Sequence, residues 1–217
     1  NIANQPRQFD EGKVDIIDIG AESSRPGATP ITATEEIDRL GAVLSLIKEQ
    51  SNALISIDTY KPETAKFALQ NGAHIINDIS GGENGAMLQI VSEFNAGIVL
   101  MHKQGTPKTM QNNPSYENII NDIKHYLSNQ IQAARDAGIN TIMIDPGIGF
   151  GKTLVHNLMI LKHLNEFQDL HCPILIGTSN KSFIGELTGA NVDERIPGSI
   201  ASIIAAYQKG AQIFRIH

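Results

Sequence analysis

The sequence has few of the residues that hold secreted or metal-stabilised proteins together. Its 217 residues include a single cysteine, Cys172. One cysteine excludes an internal disulfide and a cysteine-based zinc site, and it is typical of proteins that work in a reducing compartment. The chain also lacks a secretion signal and the run of roughly 18 apolar residues that a membrane helix needs. We therefore expect a cytoplasmic protein that does not bind a membrane.

Positive charge is also scarce. The chain carries 17 Lys and Arg residues against 23 Asp and Glu residues, which gives a formal net charge of −6 without a long run of either sign. Proteins that bind nucleic acids or membrane surfaces non-specifically use a basic surface, so neither partner is expected. Hydrophobic residues make up 41% of the chain, an ordinary share for a protein with a sizeable core.

The most informative stretch of the chain runs from Thr141 to Thr153, with the sequence TIMIDPGIGFGKT. An apolar run of strand length ends in Asp145, and a glycine-rich turn then leads into a helical pattern. The closing Gly-Lys-Thr is similar to the end of a nucleotide phosphate loop, but Pro146 occupies the first glycine position of that motif and has no N–H to offer a phosphate. We therefore interpret the stretch as a buried strand that delivers a carboxylate to a site, followed by a flexible loop.

Strand-like and helix-like segments alternate along the chain, and no hairpin signal interrupts them. This alternation predicts parallel strands joined by right-handed crossovers. Two architectures fit it, an open doubly wound sheet and a (β/α)₈ barrel. The predicted strands cover residues 15–20, 54–59, 75–80, 98–102, 141–145, 173–179 and 212–217.

Polar residues at or just after the ends of most predicted strands favour the barrel. An open sheet uses mainly the strands at its switch point, whereas a closed ring uses all its carboxyl ends as one rim. Seven strands are one short of eight and a last helix is also missing, so we expect the natural protein to have an additional N-terminal strand. We expect residues 1–217 to form a single barrel domain. The strand-end residues are Ser24, Arg25, Asp58, Asn77, His102, Asp145, Lys181, Arg215 and His217.

Three of the strand ends carry a carboxylate or an amide, namely Asp58, Asn77 and Asp145. Loop N–H groups could satisfy any one of them, but three on a single rim favour ligand binding. A buried carboxylate accepts two parallel hydrogen bonds from the N–H and amino groups of a flat heterocycle, and an amide adds a donor and an acceptor. The predicted ligand has a guanine-like edge, as in a pterin or a purine.

Four basic residues at loop or strand ends predict an anion in the same site. They are Arg25, Lys181, Arg215 and His217. Arginine forks onto phosphate oxygens and lysine acts as a point charge, although ordinary salt bridges are the alternative interpretation.

Seven segments of the chain resemble, in order, the motifs of the dihydropteroate synthases, the sulfonamide-target enzymes of folate synthesis. Each motif is weak alone, but the set is highly specific and runs from Asp15 to His217. The segments are DIIDIGAESSRPGA (15–28), SIDT (56–59), IND (76–78), MHKQGTPKTMQ (101–111), DPGIGFGK (145–152), GTSNKSFIG (177–185) and RIH (215–217).

The resemblance implies a (β/α)₈ barrel that condenses a pterin carrying a pyrophosphate with p-aminobenzoate, giving dihydropteroate and pyrophosphate. It implies Mg²⁺ as cofactor and a possible homodimer. No metal ligand is assigned, because the family's metal-binding Asn ends a first strand that is not recognisable here. The implied residues are Asp58, Asn77, Met101, Asp145, Phe150 and Lys181 for the pterin, Ser24, Arg25, Arg215 and His217 for the pyrophosphate, and Phe150, Lys181 and Ser182 for p-aminobenzoate. Of these, Lys181, Asp58, Asp145 and Arg215 are the implied catalytic residues.

The chain departs from the family pattern at a few positions. Asn180 stands where the family usually has Arg, Ser24 stands where it often has Thr, and the first strand is not recognisable. Two alternatives therefore stay open. One is a non-catalytic pterin-binding paralogue. The other is a methyl-transferring barrel of the corrinoid methyltransferase type, against which the pyrophosphate cations Arg25, Arg215 and His217 argue.

Overall fold

The computed structural model describes residues 14–23, 28–105, 109–110 and 112–217. These residues form seven strands that alternate with helices, as the sequence predicts. In chain order the elements are β1 (Ile16–Ile19), α1 (Ala33–Gln50), β2 (Leu54–Asp58), α2 (Pro62–Gln70), β3 (Ile75–Asp78), α3 (Gly85–Glu93), β4 (Gly97–Met101), α4 (Ile119–Asp136), β5 (Ile142–Asp145), α5 (Leu154–Lys162), β6 (Leu175–Ile176), α6 (Ser182–Thr188), α7 (Ile196–Gln208) and β7 (Ile213–Phe214), with 3₁₀ turns at Leu164–Leu170 and Val192–Glu194. The additional N-terminal strand expected from the sequence would precede β1, and residues 1–13 lie outside the described residues.

The strands pair in parallel and in chain order. Strands β1 to β5 form one continuous sheet, and β6 pairs with β7. A parallel bridge between Ile144 and Ile174 links β5 to the start of β6. Neighbouring strands therefore follow one another in sequence, which is the order of a barrel wall and not of a doubly wound sheet.

The two faces of the sheet are both apolar, which explains the isoleucine-rich strands. On one face, Ile57, Ile76 and Ile98 are fully buried against the surrounding helices. On the other face, Val99 and Met143 pair across β4 and β5 and pack with Ile75 and Leu175 in a separate small cluster. A strand that is buried on both faces reads as an unbroken apolar run.

Four of the described helices, α1, α3, α4 and α5, begin where a side chain caps them. Thr32 and Glu35 form a reciprocal capping box at the start of α1. The sequence predicts a helix from about residue 116, but α4 begins at Ile119 because the Asn118 side chain accepts a hydrogen bond from the Asn121 N–H. The helix predicted over residues 156–167 is likewise shifted: α5 covers Leu154–Lys162, and a 3₁₀ turn follows it.

Helix α7 carries an uncovered apolar stripe. Ile196, Ile200, Ile204 and Tyr207 recur at helical spacing and are 61%, 53%, 52% and 70% exposed. None of the described helices is both long enough and apolar enough to cross a membrane. The stripe therefore marks a surface where another part of the protein or a partner could pack.

Candidate active site

The carboxyl ends of the strands gather most of the predicted site residues at one mouth. Asp58 pairs in register with Asn77, which pairs with Val99, and Met101 pairs with Asp145 two residues further along the sheet. Because side chains two residues apart on a strand point to the same face, the ends of β2 to β5 present these groups to one side of the sheet. Arg215 follows β7 and reaches back to the β1–β2 side. The structure thus brings the acidic and the cationic groups together. The predicted residues Ser24 and Arg25 lie outside the described residues.

On the β1–β2 side, two carboxylates share one guanidinium. Arg215 Nε lies 2.6 Å from Asp18 Oδ2, and Arg215 Nη2 lies 3.6 Å from Asp58 Oδ2. Asn77 Nδ2 donates a hydrogen bond of 3.1 Å to Asp18 Oδ2. Burial raises the pKa of Asp58 to about 7, and the Asp18 charge adds to the rise while Arg215 opposes it. Asp58 therefore changes protonation near neutral pH.

On the β5 side, one carboxylate faces two lysines. Asp145 Oδ1 accepts a hydrogen bond of 2.7 Å from the Gly147 N–H. Burial holds the pKa of Asp145 above its usual value, and the charges of Lys181 and Lys152 limit that rise. Gly147 has a φ of 73°, and a methyl group at this position would overlap the His102 carbonyl oxygen. Only glycine fits this turn without strain.

Lys181 stands over the loop that follows β5. Its Nζ donates a hydrogen bond to the Ile148 carbonyl and lies 4.6 Å from the centroid of the Phe150 ring. Burial lowers the pKa of Lys181 to about 8, even though Asp145 favours the charged form. An ammonium with a lowered pKa is a strong donor that is still mostly charged at neutral pH.

Asn180 adopts a left-handed backbone with φ of 55° just before Lys181. Asparagine is several-fold enriched in this region compared with other non-glycine residues. The Asn180 N–H donates to Ser199 Oγ at 3.0 Å, and Arg195 Nη1 donates to the Asn180 carbonyl at 3.1 Å. The backbone that presents Lys181 is therefore held whether the family's Arg or this Asn occupies the position.

The remaining predicted residues lie at different depths. Met101 is buried at 3% exposure beside the rim. Ser182 is exposed and begins α6. His217 is exposed, and its N–H donates to Ser179 Oγ at 3.3 Å.

Sequence reasoning missed two functional groups in this site. Asp18 lies inside β1, in the sequence Ile-Ile-Asp-Ile. A carboxylate within an apolar strand is the sequence feature that could have identified it as a site residue. Lys152 is 3% exposed, and its Nζ lies 3.0 Å from His102 Nδ1. His102, predicted from the sequence only as a strand-end residue, is a packed group whose pKa falls to about 3 because of burial and the Lys152 charge.

A separate ionic cluster ties the base of the loop after β1 to two helices. Glu22 accepts hydrogen bonds from the Ile31 N–H at 3.3 Å and the Tyr60 hydroxyl at 2.8 Å, and it pairs with Lys61. Lys61 Nζ also lies 2.9 Å from Glu36, which is 1% exposed. The Glu22 carboxylate therefore links residue 22 to residue 31. Residues 24 and 25 fall between these two positions in the sequence.

The fold and the site define the class of protein, a parallel α/β barrel with a mixed-charge pocket at the carboxyl ends of its strands. A family model described as "Pterin binding enzyme" matches residues 2–217. The dihydropteroate synthase of Escherichia coli K12 is 41% identical over 204 residues, which cover 93% of this chain and 72% of the relative. The dihydropteroate synthase of Synechocystis is 39% identical over 218 residues, which cover 99% of this chain and 75% of the relative.

Solved structures agree with these relatives. Yersinia pestis dihydropteroate synthase in a sulfonamide drug complex superposes with a TM-score of 0.94 at 37% identity, covering 98% of this chain and 78% of that one. The Thermus thermophilus enzyme in complex with 4-aminobenzoate superposes with a TM-score of 0.94 at 37% identity. This match covers 99% of this chain and 83% of that one. The chain belongs to the dihydropteroate synthase family of pterin binding enzymes, and the predicted (β/α)₈ barrel fold is confirmed.

Proposed function

We propose that this protein is a dihydropteroate synthase, which joins the methylene carbon of a pterin pyrophosphate to the amine of p-aminobenzoate in folate biosynthesis. The observation that carries the proposal is the single mouth in which Asp58, Asn77 and Asp145 lie beside Lys181 and Arg215. The first three can read a flat ring edge, and the two cations can hold an anionic leaving group.

The pterin would lie against the β2 to β5 ends. Ionised Asp145 can accept two parallel hydrogen bonds from the ring N–H and amino groups, because a carboxylate has about four lone-pair sites and the Gly147 N–H occupies one of them. Asn77 offers both a donor and an acceptor at the neighbouring strand end. Met101 and Phe150 supply apolar contact to the ring faces.

The pyrophosphate would lie toward Arg215, His217 and Lys181, with Ser24 and Arg25 joining it. As the carbon–oxygen bond breaks, its electron pair leaves with the pyrophosphate, and fixed cations stabilise this developing charge. Cationic character left on the pterin methylene is tolerated near Asp58 and Asp145.

The second substrate would enter past Phe150, Lys181 and Ser182. The amine of p-aminobenzoate is neutral at pH 7, so its lone pair attacks the methylene carbon without a strong base, and the new N–C bond replaces the C–O bond. The proton released from nitrogen passes to solvent or to the departing pyrophosphate. Catalysis then rests on positioning and charge stabilisation.

Magnesium fits the proposal as an ion that arrives with the pyrophosphate. Among the described residues, no group of three or more His, Cys, Asp or Glu side chains could hold a metal ion unaided. However, Asp18 Oδ1 is a buried carboxylate oxygen to which none of the described residues donates a hydrogen bond. Mg²⁺ is usually bound through one or two carboxylates together with substrate phosphates, and it would there neutralise charge on the leaving group.

We also propose a cytoplasmic homodimer. The single cysteine is compatible with a reducing compartment. The exposed stripe of Ile196, Ile200 and Ile204 on α7 offers an apolar surface of the kind that subunits bury. Sedimentation of the purified protein tests the dimer.

The proposed reaction is tested by mixing the protein with pterin pyrophosphate, p-aminobenzoate and Mg²⁺ and measuring both products. We expect pyrophosphate and dihydropteroate in equal amounts. Binding of the pterin pyrophosphate without turnover would instead favour the non-catalytic paralogue, for which Asn180 is the structural argument. Methyl transfer from a folate donor would favour the methyltransferase alternative.

A further inference from the structure

Lys152 is a buried cation to which neither the sequence motifs nor the proposed chemistry gives a role. Its Nζ lies 3.0 Å from His102 Nδ1, 3.3 Å from the His102 carbonyl oxygen and 3.0 Å from the Phe150 carbonyl oxygen. An ammonium has three N–H donors, and three acceptors surround it here. When Lys152 is charged, its Nζ can donate to His102 Nδ1 only if His102 is neutral and Nδ1 is unprotonated, and the lowered pKa of His102, about 3, agrees with a neutral ring.

These contacts join two neighbouring strand ends. His102 directly follows β4, whereas Phe150 belongs to the loop after β5, residues 146–151. Other carbonyl groups of this loop are held as well: Ile148 accepts from Lys181, and Gly151 accepts from the Tyr116 hydroxyl at 2.8 Å. Lys152 is thus the contact that ties the loop to the residue after β4.

Lys152 also acts on Asp145 by its charge. Three cations lower the pKa of Asp145 against the effect of burial: Lys181 from the β6 side, Lys152 from below and Arg215 from β7. Burial brings the pKa of Lys152 to about 7, with Asp145 favouring its charged form and Lys181 opposing it. The ammonium is therefore present on the acidic side of neutrality, where its charge favours the ionised form of Asp145.

We propose that Lys152 is a positioning residue for pterin recognition, which holds the 146–151 loop against the end of β4 and keeps Asp145 ionised for the pterin edge. The inference rests on the proposed function, since it assumes that a pterin binds at Asp145. It extends that function by giving Lys152, to which the family motifs assign no role, an effect on the charge state of Asp145.

The experiment measures binding of 6-hydroxymethylpterin, which lacks the pyrophosphate, by calorimetry between pH 6 and pH 8.5. We expect Asp58, which changes protonation near pH 7, to give the wild-type affinity a pH dependence of its own, so each variant is compared with the wild type at the same pH. In Lys152→Met the affinity should fall by about tenfold or more at pH 6 and recover as the pH rises, because one unit of pKa shift is a factor of ten. Binding of inorganic pyrophosphate should change by less than about threefold, since its cations remain.

Tyr116→Phe is the matched control. It removes one hydrogen bond to the same loop without changing any charge, so its effect on pterin affinity should not depend on pH. If Lys152→Met does not fold, Lys152→Gln carries the same expectation. A folded variant with wild-type pterin affinity at pH 6, or one that loses affinity equally at all pH values, would overturn the inference while leaving the proposed function in place. A wild-type protein that binds no pterin would overturn both.

Discussion

The two sides of the pocket differ in their ratio of carboxylates to cations: one has two carboxylates and one cation, and the other has one carboxylate and two cations. On the β1–β2 side, Asp18 and Asp58 face the single guanidinium of Arg215. On the β5 side, Asp145 faces both Lys152 and Lys181. Burial raises the pKa of a carboxyl group on both sides, and the two sides differ in the neighbouring charges that add to or oppose that rise. The first side has a carboxyl group that takes up a proton near pH 7, whereas the second has cations to spare for a substrate anion.

The largest expected effect on activity comes from removing a charged side chain on the β5 side of the pocket. Lys181→Ala and Asp145→Asn should each lower kcat/KM by about a hundredfold or more, or roughly 3 kcal/mol of transition-state stabilisation, because each removes a charged group that touches the substrates. Steady-state kinetics on the folded variants measures this. Lys124→Ala removes a partly exposed lysine paired with the exposed Asp169 and should leave kcat/KM unchanged.

Breaking the β1–β2 side should affect stability as well as binding. Arg215→Met leaves Asp18 and Asp58 without their shared cation, which should cost about 2 kcal/mol of unfolding free energy, a value below that of a fully buried pair because Arg215 is partly exposed. Denaturant unfolding measures the cost. Arg215→Lys retains a charge and should recover part of the loss. An unchanged unfolding midpoint in Arg215→Met would show that water already screens these carboxylates.

A smaller effect is expected from removing one of the two carboxylates on the β1–β2 side, which makes its ratio of carboxylates to cations more like that of the β5 side. Asp18→Asn removes the neighbour that helps to raise the pKa of Asp58, so that pKa should fall below about 7. Asp58 is protonated below its pKa, and the acidic limb of the kcat/KM profile should therefore move to lower pH. Asp15→Asn, at the exposed other end of the same segment, should not move it. The interpretation would be wrong if both variants kept the wild-type profile.

The smallest effect is expected from adding a cation to the side that is already rich in them. Asn180→Arg restores the residue that is usual in the family. The backbone there is held by Ser199 and Arg195, so we expect kcat/KM to stay within about threefold. Loss of the asparagine preference for a left-handed backbone should cost less than about 1 kcal/mol of stability. Kinetics and thermal unfolding together test both expectations.

Local patterns were sufficient to predict the strands and the residues at their ends. Asp58, Asn77 and Asp145 each close an apolar run, and parallel strands bring such ends to one rim. The seven strands and their parallel pairing follow from the same pattern. This part of the structure depends on short stretches of chain, which is why the sequence alone carries it.

Contacts between segments that are far apart in the chain could not be predicted from the sequence. Lys152 meets His102 across 50 residues, and Arg215 meets Asp18 across 197. Nothing in either local pattern distinguishes a lysine that turns inward from one that reaches solvent. The start of α4 at Ile119 was missed for a smaller reason, because the capping side chain of Asn118 competes with several polar residues nearby.

The Glu22 cluster has a consequence for how this protein can change over time. One carboxylate fastens positions 22 and 31 to the same point, while Lys61 and Glu36 anchor it to the barrel. Length changes between the two anchored positions would then be absorbed locally, since lengthening a closed loop adds only a small entropic cost. Insertions in this segment should accordingly leave the rest of the barrel folded, but they would displace Ser24 and Arg25, which we propose hold the pyrophosphate.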